Sequence, residues 1–207
     1  MREKLYNFLY YFTLPGTVIH ELAHATIIVL LPNIKITKLK LTSYVEYSGT
    51  SNTVPRTFLI GYAPFFINTS LSLLCIYALK NINYMAGYKE LFYVTVLFYI
   101  SLVSAFTALP SFQDAISPWV LMRRKLFTKR FPLIVLFSPL VIILSMPGLI
   151  ISYTAMKSRL LQFIMCVIYT TSVVLVGFGF ITGDMILIFY EYFTNSLEVL
   201  IDNLPTY

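Results

Sequence analysis

The residues whose types and spacing can do chemistry together sit in Ile19-His20-Glu21-Leu22-Ala23-His24-Ala25. On a helix, His20 and His24 are about one turn apart and share a face. Two imidazoles at that spacing can bind one zinc ion, while Glu21, one step round the helix, holds a water beside it. Two histidines do not complete such a site, because a catalytic zinc usually has three protein ligands plus water. The third ligand has to come from elsewhere in a chain with few acids: Glu3, Glu46, Glu90, Asp114, Asp184, Glu191, Glu198 and Asp202. Asp114 is best placed, at the end of an apolar run and just after a Pro-Ser turn; Asp184, closing a later run, comes second. An ionised carboxylate in a membrane segment costs roughly 2.5–3.5 kcal/mol on insertion scales, so each needs a partner, and a metal ion is one. The competing reading of Asp114 is a helix cap. For the His-Glu-His run it is chance spacing, which is a weak explanation inside an apolar segment where His and Glu are rare.

The motif lies in a chain of 207 residues that is 58% hydrophobic and only 12% charged, with a mean hydropathy of +0.78. Soluble domains carry about 25% charged residues, so this chain cannot cover a water-facing surface. An all-α polytopic membrane protein of five to six transmembrane helices is expected, as one domain, with lipid as the solvent of its outer face. The net charge of +6 sits in short gaps between apolar runs. It therefore reads as a topology signal and a contact with anionic lipid, and no nucleic-acid partner is expected. Cys75 and Cys166 each lie in an apolar run without metal-binding or disulfide spacing. No cleavable signal peptide is expected, since the first apolar run is interrupted by Pro15 and carries the motif itself.

Several elements must position these residues. The first span, 5–31, begins with interfacial aromatics (Tyr6, Phe8, Tyr10, Tyr11, Phe12) and ends at Pro32-Asn33; Leu14-Pro15-Gly16-Thr17 predicts a helix start or a kink. Residues 33–56 alternate apolar and basic, which predicts a small β-hairpin at the membrane surface. The alternation slips by one at Thr37-Lys38, the mark of a bulge or of two short strands. Further spans are expected at 57–79, with Ala63-Pro64 and Asn68 inside it, at 91–109, at 131–156 and at 160–182. Ser117-Pro118 predicts the start of a short helix leading to Arg123, Arg124, Lys125, Lys129 and Arg130. That basic cluster is expected in the cytoplasm. Counting back places the hairpin inside and brings the motif and Asp114 to the cytoplasmic half from two different helices. Glu191, Asn195, Glu198 and Asp202 share a stripe, so the segment 184–203 is amphipathic and either lies at the interface or packs as a sixth helix.

Taken together, these residues resemble the site-2 protease (M50-type) class of intramembrane zinc metalloproteases. The resemblance rests on His20-Glu21-Leu22-Ala23-His24 in the first core helix, a cytosolic hairpin, a Pro/Asn element in the next helix and an Asp closing the third. Ala63-Pro64-Phe65-Phe66-Ile67-Asn68-Thr69 and Leu109-Pro110-Ser111-Phe112-Gln113-Asp114-Ala115 are similar to a compact prokaryotic, largely archaeal, branch with HELAH and PSxxD motifs. It covers about residues 10–120. Ala63 stands where site-2 proteases have Gly before the Pro, and the Asp lies in Pro-Ser-Phe-Gln-Asp instead of Leu-Asp-Gly.

The resemblance implies one metalloprotease domain over 1–207, with a catalytic core at about 5–120 and C-terminal helices in 131–207. It implies Zn2+ held by His20, His24 and Asp114, with Glu21 activating a zinc-bound water and Asn68 donating a hydrogen bond to the substrate. The implied partners are the lipid bilayer and a membrane protein or peptide substrate, unwound and held as an added strand on the hairpin. The implied location is a prokaryotic plasma membrane, with the site toward the cytoplasmic half. The residues alone leave two alternatives open: a non-proteolytic metal-binding membrane assembly protein of the same fold, and a zinc hydrolase of a non-peptide amide.

Overall fold

In lipid, each spanning segment has to satisfy its own backbone, and helices do this without help from neighbours. The computed structural model describes residues 2–49, 53–82, 88–126, 153 and 159–180. In chain order the elements are α1 (Arg2–Leu30), β1 (Ile34–Lys40), β2 (Tyr44–Gly49), α2 (Val54–Lys80), α3 (Tyr88–Phe106), α4 (Phe112–Leu126) and α5 (Arg159–Phe178). Among the described residues, three stretches are long and apolar enough to cross a membrane: Asn7–Leu30, Val54–Lys80 and Leu160–Phe178. The apolar part of α3, Leu91–Phe106, is shorter. Phe8, Tyr11, Val29, Leu74, Tyr77 and Leu160 point outward and are exposed, a surface suited to lipid. Helix α2 is the hub and packs against α1, α3, α4 and α5. Apart from residue 153, the expected 131–156 span lies outside the described residues, as do Lys129, Arg130, Asp184 and the 184–203 segment.

Pro15, read as a helix start or a kink, and Ser117-Pro118, read as a helix start, both lie inside helices. Helix α1 does not begin at Pro15; it runs through it, so the aromatic stretch and the motif share one helix. Side chains answer several of its carbonyls. Thr13 and Thr17 hydroxyls donate to the carbonyls of Leu9 (2.9 Å) and Thr13 (3.2 Å), and the Tyr99 hydroxyl donates to that of Phe12 (2.7 Å). Helix α4 begins at Phe112, ahead of Ser117-Pro118, and Pro118 lies inside it. Its start is a capping box. The Ser111 N–H donates to Asp114 Oδ2 (3.1 Å), and the Asp114 N–H donates to Ser111 Oγ (3.3 Å).

The hairpin is antiparallel, with Ile36 opposite Tyr47 and Lys38 opposite Glu46, so Thr37 is the extra residue of a bulge. The chain reverses at 41–43, before the Ser48-Gly49 stretch that ends β2. The bulge returns Leu39, opposite Val45, to the face that carries Ile36. On that face Ile34, Ile36 and Val45 pack with Ile28 of α1 and Ile60 of α2. Among the other-face residues, Lys38 Nζ sits 5.3 Å over the Tyr44 ring. The hairpin is thus a two-sided flap with its apolar side laid on the helices.

Candidate metal centre

Side-chain spacing on α1 stacks His20, His24 and Ile28 along one face, and the two imidazole centroids are 5.0 Å apart. His20 Nδ1 lies 2.7 Å from the Thr107 carbonyl oxygen, and His24 Nδ1 lies 2.7 Å from that of Ile60. A carbonyl only accepts, so each ring carries a proton on Nδ1 and leaves Nε2 as the atom that can take an ion. Metal-binding histidines are typically oriented in this way by an outer partner.

A proline releases the Ile60 carbonyl, and the end of α3 releases that of Thr107. In a regular helix the Ile60 carbonyl would bond the N–H four residues on, but that residue is Pro64, which has none. Thr107 lies just beyond the end of α3, and Leu109-Pro110 follows it. The N–H four residues on from Thr107 belongs to Ser111 and is used by Asp114. Restoring a donor with Pro64→Ala should let the helix reclaim the Ile60 carbonyl and free the His24 ring. Metal affinity, measured by competition with a chelator, is expected to fall by about 10- to 100-fold, the usual cost of losing an outer partner.

Asp114 approaches from α4. Its Oδ2 lies 3.6 Å from His24 Nε2, and the three potential ligand atoms of His20, His24 and Asp114 are all within 4.8 Å of one another. Two ligands of one tetrahedral zinc are about 3.4 Å apart, given bond lengths near 2.0–2.2 Å. The donor set therefore suits such an ion. The capping box holds the carboxylate in place, and the Ser111 hydroxyl also donates to Oδ2. Burial pushes the Asp114 carboxyl up, but the His24 ring and the Ser111 hydroxyl outweigh it and hold the group below its ordinary value. Asp114 is thus both a cap and a metal-competent carboxylate; the two readings do not exclude each other.

Close helix approach makes this possible. A Cβ on Gly61 would stand 2.5 Å from the Asp114 carbonyl oxygen, and one on Gly16 would run into the Val103 carbonyl. Gly61→Ala is expected to force α2 and α4 apart at a cost of about 1–3 kcal/mol. A lower thermal midpoint in detergent, together with weaker metal binding, is the readout.

Glu21 is 7% exposed and lines, with His20, His24 and Asp114, a cleft of about 530 Å³. The opposite wall is the hairpin, whose residues from Ser43 to Tyr47 border the same space. Asn68 is elsewhere: it is fully buried and does not line the cleft. Its Nδ2 donates to Thr107 Oγ1 (3.1 Å), on the residue whose carbonyl takes the His20 proton. Sequence reading missed the two carbonyls, Ser111 and Tyr47. The available signals were a proline four residues after Ile60, the Ser-x-x-Asp capping pattern, and the two-residue period along β2.

Set against protein-family models, curated proteins and solved structures, the chain matches none.

Proposed function

We propose that the protein is a membrane-embedded zinc metalloprotease that hydrolyses peptide bonds of membrane proteins or peptides. The observation that carries this is the shared tautomer of His20 and His24: both Nδ1 protons are spent on carbonyls. Both Nε2 atoms are then left for an ion beside Asp114, with a glutamate in the same cleft. Zinc bound there would supply a Lewis acid that polarises a carbonyl and acidifies water. The rest is the work of the chain's own residues. His20, His24 and Asp114 hold the ion. Glu21 takes a proton from the attacking water and returns it to the leaving amine. Asn68 braces Thr107 and so fixes the His20 ring. A peptide in helical form hides its carbonyls, and β2, which borders the cleft, offers main-chain groups to an unwound one. Arg123 and Arg124, exposed near the end of α4, and the lysines of the hairpin support an orientation with this side toward the cytoplasm.

The test is to incubate membranes with purified protein, wild type or Glu21→Ala, and to compare the released peptides by mass spectrometry. Peptides made only by the wild type support the proposal. Identical peptide sets overturn it.

A further inference from the structure

Amide hydrolysis needs a donor for the oxygen that becomes negative as the carbonyl carbon is attacked. Asn68, which resemblance nominated, is walled off from the cleft. The hairpin supplies another group. Successive side chains of a strand point to opposite faces, so Tyr47 shares the face of Val45 and not that of Tyr44 and Glu46. Val45 packs with Ile28 and Ile60, the residues flanking His24 on α1 and on its carbonyl partner in α2. Ile36, paired with Tyr47 across the hairpin, packs with the same cluster. The face that carries Tyr47 is therefore laid toward the two histidines, and Tyr47 lines the cleft with them.

We propose that Tyr47 is a catalytic residue whose hydroxyl donates a hydrogen bond to the developing oxyanion of the scissile amide. The inference rests on the hydrolytic reading above. The balance of the step is simple. Water oxygen bonds to the carbonyl carbon, the π pair moves onto the carbonyl oxygen, and the water proton passes to Glu21. The C–N bond then breaks as that proton reaches the amine nitrogen. Tyr47 keeps its own proton throughout and only shares it. Burial, and then the nearby charge of Asp114, push the phenol above its ordinary value, so it stays a donor at neutral pH. Placement on the flap also means that the donor arrives with the strand that borders the substrate, and catalysis depends on the flap being seated.

Full-length zinc-loaded protein in detergent provides the test, with fluorescein-labelled casein as substrate and phosphoramidon as a tetrahedral phosphorus probe. Tyr47→Phe removes one oxygen and keeps the ring that pairs with Ile36. Its kcat should fall by about a hundredfold, as for loss of one oxyanion donor. KM should move by less than about twofold, because the contact exists only in the transition state. Phosphoramidon affinity should weaken by at least about tenfold, because such analogues borrow transition-state contacts. Zinc content should equal that of the wild type. An unchanged kcat, a change confined to KM, or loss of zinc overturns the role of Tyr47 while leaving the hydrolase standing. A wild type that neither cleaves casein nor binds phosphoramidon removes the hydrolytic reading and this inference with it.

Discussion

Asp114→Asn is expected to strip zinc from the purified protein. The wild type should carry about one ion per chain, as a site with three protein ligands requires. The variant should lose more affinity than the roughly 10- to 100-fold that follows loss of an outer partner. The substitution separates two roles that the structure superimposes on one side chain. Asn keeps a carbonyl oxygen for the Ser111 N–H, so the capping box that starts α4 has its acceptor. What disappears is the negative charge that suits the group to an ion beside His24. Metal analysis by mass spectrometry, with a thermal midpoint on the same samples, reads both roles. Zinc lost with little change in midpoint assigns Asp114 to the metal. Zinc retained with a lower midpoint assigns it to the cap alone. Asp184→Asn, at a position outside the described residues, should leave the zinc in place.

Glu21→Gln is expected to lower peptide hydrolysis by about 10²–10⁴-fold, the range for losing a general base. Gln matches the volume of Glu and keeps the cleft wall intact. In the proposed site His20, His24 and Asp114 would hold the ion, so zinc content should not change. Casein cleavage and zinc content measured side by side decide the matter. Loss of both would make Glu21 a ligand, and loss of neither would remove it from the chemistry. The pairing of these two variants is informative because their expected signatures are opposite: one loses the ion and the other keeps it.

Tyr47 and Asn68 show where local reading stops. Resemblance nominates Asn68 as a substrate donor, while a polar residue in an apolar span needs a partner in any case. That reasoning holds, and the partner is the Thr107 hydroxyl. Nothing in the spacing says that this partner lies behind the histidines and away from the cleft. Tyr47, by contrast, looks like one more interfacial aromatic. Its significance depends on which hairpin face lies on the helices, and Ile28 and Ile60 decide that. The helix starts at Arg2 and Phe112 show the same limit. Pro15 and Pro118 are strong breakers in isolation, yet α1 and α4 run through them.

By itself the sequence determined what a local period can determine. It placed His20, Glu21 and His24 on one turn, because a helix repeats every 3.6 residues. It marked the slip at Thr37-Lys38 as a bulge or two short strands, because a strand repeats every two, and the pairing makes it a bulge. Its composition called for spanning helices, and among the described residues three stretches meet the length and hydropathy that need implies. It singled out Asp114 among few acids. Only the tertiary structure decided that Asp114 lies 3.6 Å from His24, which needs helices close enough that Gly16 and Gly61 leave no room for a Cβ. It also decided which carbonyls take the two Nδ1 protons. A proline removes a donor at a known place in the chain, but which side chain takes up the freed carbonyl depends on the neighbour packed against it, and periodicity holds no information about neighbours.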